Sequence, residues 1–292
     1  YSIYKRPGKG VEIIAHPFPS LKLKMAKEAT FYEKILFKDC FYQLEKERGY
    51  DSFGKLWSPG SFQQLLLPDQ TVQFAASTES WQSLANTSFK KVKKAEELRK
   101  KQLLSLPLQD AFTQQLVLAA DQFIVTPAYR SLSLDKKKEN LQTVIAGYPW
   151  FTDWGRDTMI SLEGLTLCTN RFKQARQILC TFHAAIWQGL IPNMFPESQQ
   201  KGVYHTADAT LWFFHALDRY LEVSRDFTLL KEMLPNLKQV IDWHRKGTAF
   251  GIKVDQDGLL MQGAEHYQLT WMDAKVDGWV VTPRRGKAVE IN

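Results

Sequence analysis

The chain has 292 residues, of which 44% are hydrophobic and 13% aromatic, with a net charge of +7. That is enough for a substantial core in one large domain or two smaller ones. No apolar run reaches membrane length and no signal peptide is visible, which excludes a membrane-spanning helix and an amino-terminal export signal from this stretch. The three cysteines, Cys40, Cys168 and Cys180, show no CxxC spacing and form no even set. Cys168 and Cys180 lie in apolar helical contexts, so they read as buried free thiols in a reducing, cytoplasmic compartment. The first residue is Tyr and the start has no terminal character, so the sequence is expected to be a piece of a longer protein.

Residues 1–88 read as β-rich. Leu21-Lys22-Leu23-Lys24-Met25 alternates as a half-buried strand should. Ser61–Leu67 and Thr71–Ala76 read as strands of a hairpin around Pro68-Asp69, and Trp57-Ser58-Pro59-Gly60 as a turn. With no closed pattern of its own, the region is expected to be the carboxy-terminal part of a β-sandwich. Residues 89–107 carry seven cationic side chains from Lys90 to Lys101, with Glu96 and Glu97 between them. A nucleic-acid or membrane-surface patch is one reading, a solvated linker helix the other. The linker is preferred because base-stacking aromatics and a binding motif are missing.

From Leu108 the period becomes helical. Phe112, Leu116, Ala119 and Phe123 form a stripe ending near Pro127. Residues 158–169 form an apolar helix stopped at Asn170. Phe172, Ala175, Leu179, Phe182 and Ile186 mark a one-sided helix. A Pro-containing loop spans Gly189–Gly202, and Ala207–Leu221 is apolar on nearly every side. Leu230, Leu234, Leu237 and Ile241 mark a one-sided helix broken at or started near Pro235. Gly247–Pro283 reads as a long hairpin-like stretch, and Arg285–Asn292 as the start of a further helix. Helices buried all round alternate with one-sided ones, which is the pattern of an α/α barrel. In such a ring the loops entering successive inner helices meet at one end, where the helix dipoles are positive.

Three of those loops carry unusual chemistry. Gly147–Asp157 packs Trp150, Trp154, Arg156 and Asp157 with Tyr148 and Phe151. Ring faces and an Arg-Asp pair suit a polyhydroxylated ligand, whereas an N-capping Asp with buried rings is the structural alternative. Tyr204–Ala209 carries His205 and Asp208. Asp208 is either an N-cap or a pocket residue, and His205 either a base or an ordinary loop histidine. No spacing supports a metal site. Leu269–Ala274 carries Trp271 and Asp273, followed by Arg284 and Glu290. A carboxyl group against an apolar ring has the raised pKa that a general acid needs, whereas an ordinary hairpin turn explains Asp273 equally well. Glu290 reads as buried or paired with Arg284. Glycoside hydrolysis needs two such carboxyl groups about the scissile bond.

Taken in order, Gly147-Tyr148-Pro149-Trp150-Phe151, Trp154-Gly155-Arg156-Asp157, His205-Thr206-Ala207-Asp208-Ala209, Leu269-Thr270-Trp271-Met272-Asp273-Ala274, Thr282-Pro283-Arg284 and Gly286–Asn292 resemble the amylo-α-1,6-glucosidase domain of glycogen debranching enzymes. Glu47-Arg48-Gly49 with Leu56–Gly60 resembles the end of the amino-terminal β-sandwich of bacterial and archaeal members. The resemblance implies a mainly α protein, an (α/α)6 six-hairpin barrel whose amino-terminal half is residues 108–292. Before it would come the 89–107 linker helix and the end of a sandwich at 1–88. It implies inverting hydrolysis of α-1,6-linked glucose at trimmed branch points of glycogen or another branched α-glucan. The resemblance implies no cofactor, no nucleic acid and no membrane.

By the same resemblance Asp273 is the general acid, and Arg156 and Asp157 grip the terminal glucose. Trp150, Trp154, His205, Asp208, Trp271, Arg284 and Glu290 would line the subsite. The general base would be a Glu beyond Asn292. Glu163 departs from the family pattern, which leads one to expect a small residue or Pro. The rival readings are a glucoamylase-like α-glucosidase and a non-catalytic glucan-binding protein.

Overall fold

The computed structural model describes residues 1–292 except 8–9, 17, 26–28, 106–109, 128–140 and 197–200. The expected change of period at Leu108 lies outside the described residues. The chain divides into two compact units, Tyr1–Leu98 and Arg99–Asn292.

In the first unit, β1 (Ser2–Arg6), β2 (Gly10–Ile14), β3 (Leu21–Met25) and β6 (Phe74–Ser77) form an antiparallel sheet in the order β1-β2-β3-β6. The alternating Leu21–Met25 run is β3, as its pattern predicts. Two long strands, β4 (Thr30–Phe41) and β5 (Phe53–Gln63), pair with each other, with the short helix α1 (Gln43–Glu47) between them. A second short helix, α2 (Trp81–Ala85), starts at Ser80, whose hydroxyl accepts from Ser83 N–H.

Two expectations fail in this unit. Trp57–Gly60 is not a turn but the middle of β5. The register shifts between Glu33 and Leu36 opposite Pro59, so a bulge removes the need for the N–H that proline lacks. Gly60 follows at φ 146°, where a Cβ would lie 2.2 Å from Tyr32 O. There is also no hairpin across Pro68-Asp69. A turn closes there from Gln70 N–H to Leu67 O at 3.1 Å, but the flanking strands pair elsewhere, β5 with β4 and β6 with β3. Turn chemistry shows where a chain bends and not which strand it rejoins.

The basic run forms α3 (Phe89–Leu103), which buries none of its residues. In the second unit, α4 (Ala111–Phe123) leads into a short β7–β8 pair (Ile124–Val125 with Thr143–Val144). Next come α5 (Gly155–Leu162), α6 (Phe172–His183), α7 (Asp208–Ser224) and α8 (Phe227–Lys246). Two small hairpins follow, β9–β10 (Lys253–Val254 with Leu260–Met261) and β11–β12 (Lys275–Val276 with Trp279–Val280). The chain as a whole is therefore mixed α and β rather than mainly α, and the described helices do not close a barrel. No described helix is long and apolar enough to cross a membrane.

One core joins α5 to α8. It includes Met159, Leu162, Ile178, Leu179, Phe182, Phe213, Leu217, Leu229 and Met233. Several stripes differ from their predicted residues. In α4 it is Val117 that is buried, while Phe112 and Leu116 are exposed. In α8 the buried line is Leu229, Met233, Leu237, Val240 and His244, and Leu234 and Ile241 face outward. In α8 an equally regular 3.6-residue stripe runs along the adjacent face, and packing selects between the two, whereas in α4 Val117 is the one buried residue and Phe123 of the predicted stripe packs against the core. α8 also passes unbroken through Pro235. α5 and α7 are buried along one side only, since Ile160 and His215 are exposed. Cys168 is exposed and Cys180 half-buried, contrary to the expected buried pair. The end of the chain is a single 3-10 turn at Val289–Ile291.

α5 runs directly into a π-helical turn, Glu163–Leu167. Cys168 N–H reaches Glu163 O at 3.0 Å, and Thr166 Oγ1 donates to Leu162 O. Glu163 is half-exposed and accepts from Arg219 Nη2 at 2.8 Å, which accounts for a carboxylate where a small residue was expected. Left-handed Asn170 (φ 57°) then ends the segment, as predicted.

Asp226 ties three helices together. It caps α8 by accepting from Leu229 N–H at 3.2 Å, and also accepts from Tyr220 Oη at 2.9 Å and Arg176 Nε at 3.2 Å. The Thr228 hydroxyl bonded to it, helped by these donors and opposed by burial, holds its carboxyl at about 2. A depressed folded-state pKa stabilises the fold above the ordinary 3.8, and that contribution disappears as pH falls through about 2. Asp226→Ala should therefore cost about 1–2 kcal/mol in urea unfolding at neutral pH, and the two unfolding curves should converge as pH approaches 2.

Candidate active site

The aromatic loop folds back on itself before α5. Trp150 N–H bonds to Gly147 O at 3.0 Å and Ala146 N–H to Thr152 O at 3.1 Å. Asp153 is buried and accepts from Thr143 Oγ1 at 2.8 Å. Trp154 is the N-cap of α5 in extended conformation and bridges to Met194. Gly155 N–H then donates to Asn193 O at 2.7 Å. This approach admits only glycine, because a Cβ on residue 155 would lie 2.1 Å from Pro192 O. The loop before α5 is thus locked to the 191–195 segment, and Arg156 is aimed by the first turn of the helix.

Asp208 stands in the first turn of α7, where the positive end of the helix favours a carboxylate. The residue before it, Ala207, donates its N–H to Leu269 O at 3.1 Å, tying the second loop to the third. The three loops meet on one guanidinium. Arg156 Nε donates to Asp208 Oδ2 at 2.7 Å and Nη2 to Asp208 Oδ1 at 3.2 Å, while Nη1 donates to Asp273 Oδ2 at 3.1 Å. The Asp208 side chain is 4% exposed and that of Asp273 37%, so Asp273 is the carboxylate of the pair that a ligand can reach.

Asp157 and His205 lie in the field of this cluster. Burial of its carboxyl, reinforced by Asp273 and Asp208 and opposed by Arg156, pushes the pKa of Asp157 up, although the residue as a whole is exposed. Burial and then the Arg156 charge push His205 down, which keeps its ring neutral. Burial opposes the charge on Arg156, but its bonds and charge attraction to Asp208 and Asp273 prevail and raise its pKa.

A second ion pair forms beside the first on the same loop. Thr270 Oγ1 donates to Glu290 Oε1 at 2.9 Å, Arg284 Nε donates to the same oxygen at 2.8 Å, and Arg284 Nη2 bonds Glu290 Oε2. The Arg284 bonds hold Glu290 at about 2, against the effect of burial. Arg284 has φ 47°, a strained conformation for a non-glycine residue, and Gln262 Nε2 fixes its carbonyl at 2.6 Å.

Of the predicted residues, Arg156, Asp208 and Asp273 are in direct contact, and Asp157 and His205 are electrostatically coupled to them. Arg284 and Glu290 form the neighbouring pair. Trp150 is 82% exposed and Trp271 57%, so both present free ring faces, while half-buried Trp154 serves the backbone of the helix start. Sequence reasoning missed Asn193 and Gln262. Asn193 is fully buried with both carboxamide atoms unpartnered, and its only signal was a Pro-containing loop. No group of three His, Cys, Asp or Glu suited to a metal ion occurs among the described residues.

Residues 118–292 match the family model described as amylo-alpha-1,6-glucosidase, and the chain belongs to that family. The matched span begins inside α4 and takes in both ion-pair clusters. The glycogen debranching enzyme of Saccharomyces cerevisiae is 27% identical over 214 residues, an alignment covering 53% of this chain. The chain spans 14% of the length of that yeast protein. The relative is fungal, which gives no support to the bacterial and archaeal type expected from Glu47–Gly60.

The buried Arg156–Asp208 pair makes a stability prediction. Arg156→Ala leaves Asp208 buried without its cation and should cost about 3–5 kcal/mol in denaturant unfolding. A cost within experimental error of zero would show that the carboxylate finds another partner.

Proposed function

We propose that this chain supplies the glucose subsite and the general acid of a debranching glycosidase. The enzyme hydrolyses the α-1,6-linked glucose left at trimmed branch points of glycogen or a similar α-glucan and acts in the cytoplasm. The observation that carries this reading is the half-exposed carboxylate of Asp273, held by a guanidinium that is itself fixed by a buried carboxylate. Family membership, the yeast relative and the exposed rings of Trp150 and Trp271 support a branched glucan as the ligand.

In this proposal the bound substrate parts Asp273 from Arg156, and the carboxyl, having taken up a proton from solvent, passes it to the oxygen of the scissile bond as that oxygen leaves C1 of glucose. Water adds to C1 from the opposite face, and a Glu that the family resemblance assigns to a later part of the sequence takes its proton. The products are glucose with inverted configuration and a dextrin with a free 6-hydroxyl. An inverting pair stands about 6.5–9.5 Å apart to admit the water. Arg156 and Asp157 bind hydroxyls of the terminal glucose, and His205, Asp208, Arg284 and Glu290 shape the subsite wall. Residues 108–292 are then the first half of an (α/α)6 barrel, with 89–107 a linker and 1–88 the end of a β-sandwich. The half-barrel reading is supported by the loops before α5 and α7, which meet on one guanidinium, whereas the one-sided burial of those two helices departs from the all-round burial expected of inner barrel helices.

The test uses the full-length protein on a phosphorylase limit dextrin, with free glucose as the readout. Asp273→Asn should lower glucose release by about 10²–10⁴-fold, the range for losing a general acid, while the melting temperature stays close to wild type. Equal release by variant and wild type would remove Asp273 from the chemistry. No release by wild type would remove the debranching reading itself.

A further inference from the structure

A cavity of about 500 Å³ lies in the second unit between the end of α3, α4, the β7–β8 pair and the start of α6. It shares no residue with the Arg156 cluster. Arg99, Gln102, Asp121, Gln142, Arg171 and Gln174 line it. Two guanidiniums converge there on one carboxylate. Arg171 Nη2 lies 2.9 Å from Asp121 Oδ1, and Arg99 Nη1 bonds Asp121 Oδ2.

The Arg171 side chain is 10% exposed, and its Nε and Nη1 are buried with no partner. Unmet donors on a buried cation are costly, and an anionic acceptor is the group that relieves them. Burial lowers the pKa of Arg171 against the pull of Asp121, and Arg99 lowers it further, so Asp121 alone does not compensate the charge. Arg171 is also the N-cap of α6, a helix of 12 residues with no side-chain cap, so the positive helix end points the same way.

A bare anion would satisfy only part of the lining. Gln142 Oε1 is a buried acceptor without a partner, and a carbon-bound hydroxyl supplies the donor it needs while the phosphate oxygens stay on Arg171. The volume falls within the range of small-molecule sites, about 300–1,000 Å³. We propose that this cavity binds a small sugar or polyol phosphate, with the phosphate on Arg171 and the α6 start and a hydroxyl on Gln142.

Calorimetric titration of the full-length protein with glucose 6-phosphate, inorganic phosphate and glucose tests this. Glucose 6-phosphate should bind more tightly than either of the others. Arg171→Met, which leaves Asp121 paired with Arg99, should weaken it by roughly tenfold or more. Arg171→Lys should fall between, because it keeps the charge and loses the planar fork. Gln142→Leu should weaken glucose 6-phosphate and leave inorganic phosphate unchanged, and it keeps the proposal testable if Arg171→Met does not fold. Unchanged affinity for glucose 6-phosphate in a folded Arg171→Met, or no binding by wild type, would overturn the proposal. Equal affinities for phosphate and glucose 6-phosphate, both indifferent to Gln142→Leu, would also overturn it, in favour of a bare-anion site.

Discussion

A single guanidinium fixes where three loops can lie. Arg156 bonds a carboxylate 52 residues away and another 117 residues away. Neither contact follows from local structure, and each closes a long stretch of chain. The arrangement is hierarchical. The helix start and the Gly155–Asn193 contact aim Arg156, buried Asp208 orients the guanidinium, and the remaining N–H groups present a fixed donor to Asp273. Because the guanidinium is planar and its fork rigid, placing two of its edges determines the third. A lysine would hold the charge there without the direction.

The neighbouring pair works on the same principle with a different source of stiffness. Arg284 is held in a left-handed backbone conformation, and Glu290 and Gln262 fix its two ends. Both pairs depend on the Leu269–Ala274 segment, which carries Thr270 to Glu290 and Asp273 to Arg156. Movement of that segment is therefore shared between the two clusters. Any ligand that displaces Asp273 from Arg156 also loads the Thr270–Glu290 bond.

The chemistry of the site was legible in the sequence to the extent that it came in dense local runs. Arg156, Asp208 and Asp273 each sit in a short segment rich in rings and charge, although an N-cap or a turn is as good a reading for Asp208 and Asp273, and those segments do come together. Partners chosen by packing were not legible. The Leu234/Ile241 stripe is as regular as the one that is buried, and only the neighbours of α8 decide between them. Likewise the turn at Pro68-Asp69 was visible, but the crossing of β6 to β3 depends on residues far apart in sequence. Asn193 contributes through its backbone carbonyl and Gln262 through a side-chain amide on the carbonyl of Arg284, contacts that leave no compositional trace.

The π-helical turn at Glu163–Leu167 separates two buried arginines, Arg156 at the start of α5 and Arg171 just past Asn170. A π turn contains one residue more than the α-helical turn it replaces, and one residue corresponds to about 100° of rotation about the helix axis. The extra residue therefore sets the rotational phase between the two arginines. The core contacts of Met159 and Leu162 lie on one side of it and that of Leu167 on the other. In this segment an insertion or deletion acts as an angular change, turning one arginine site relative to the other while leaving the composition of each intact.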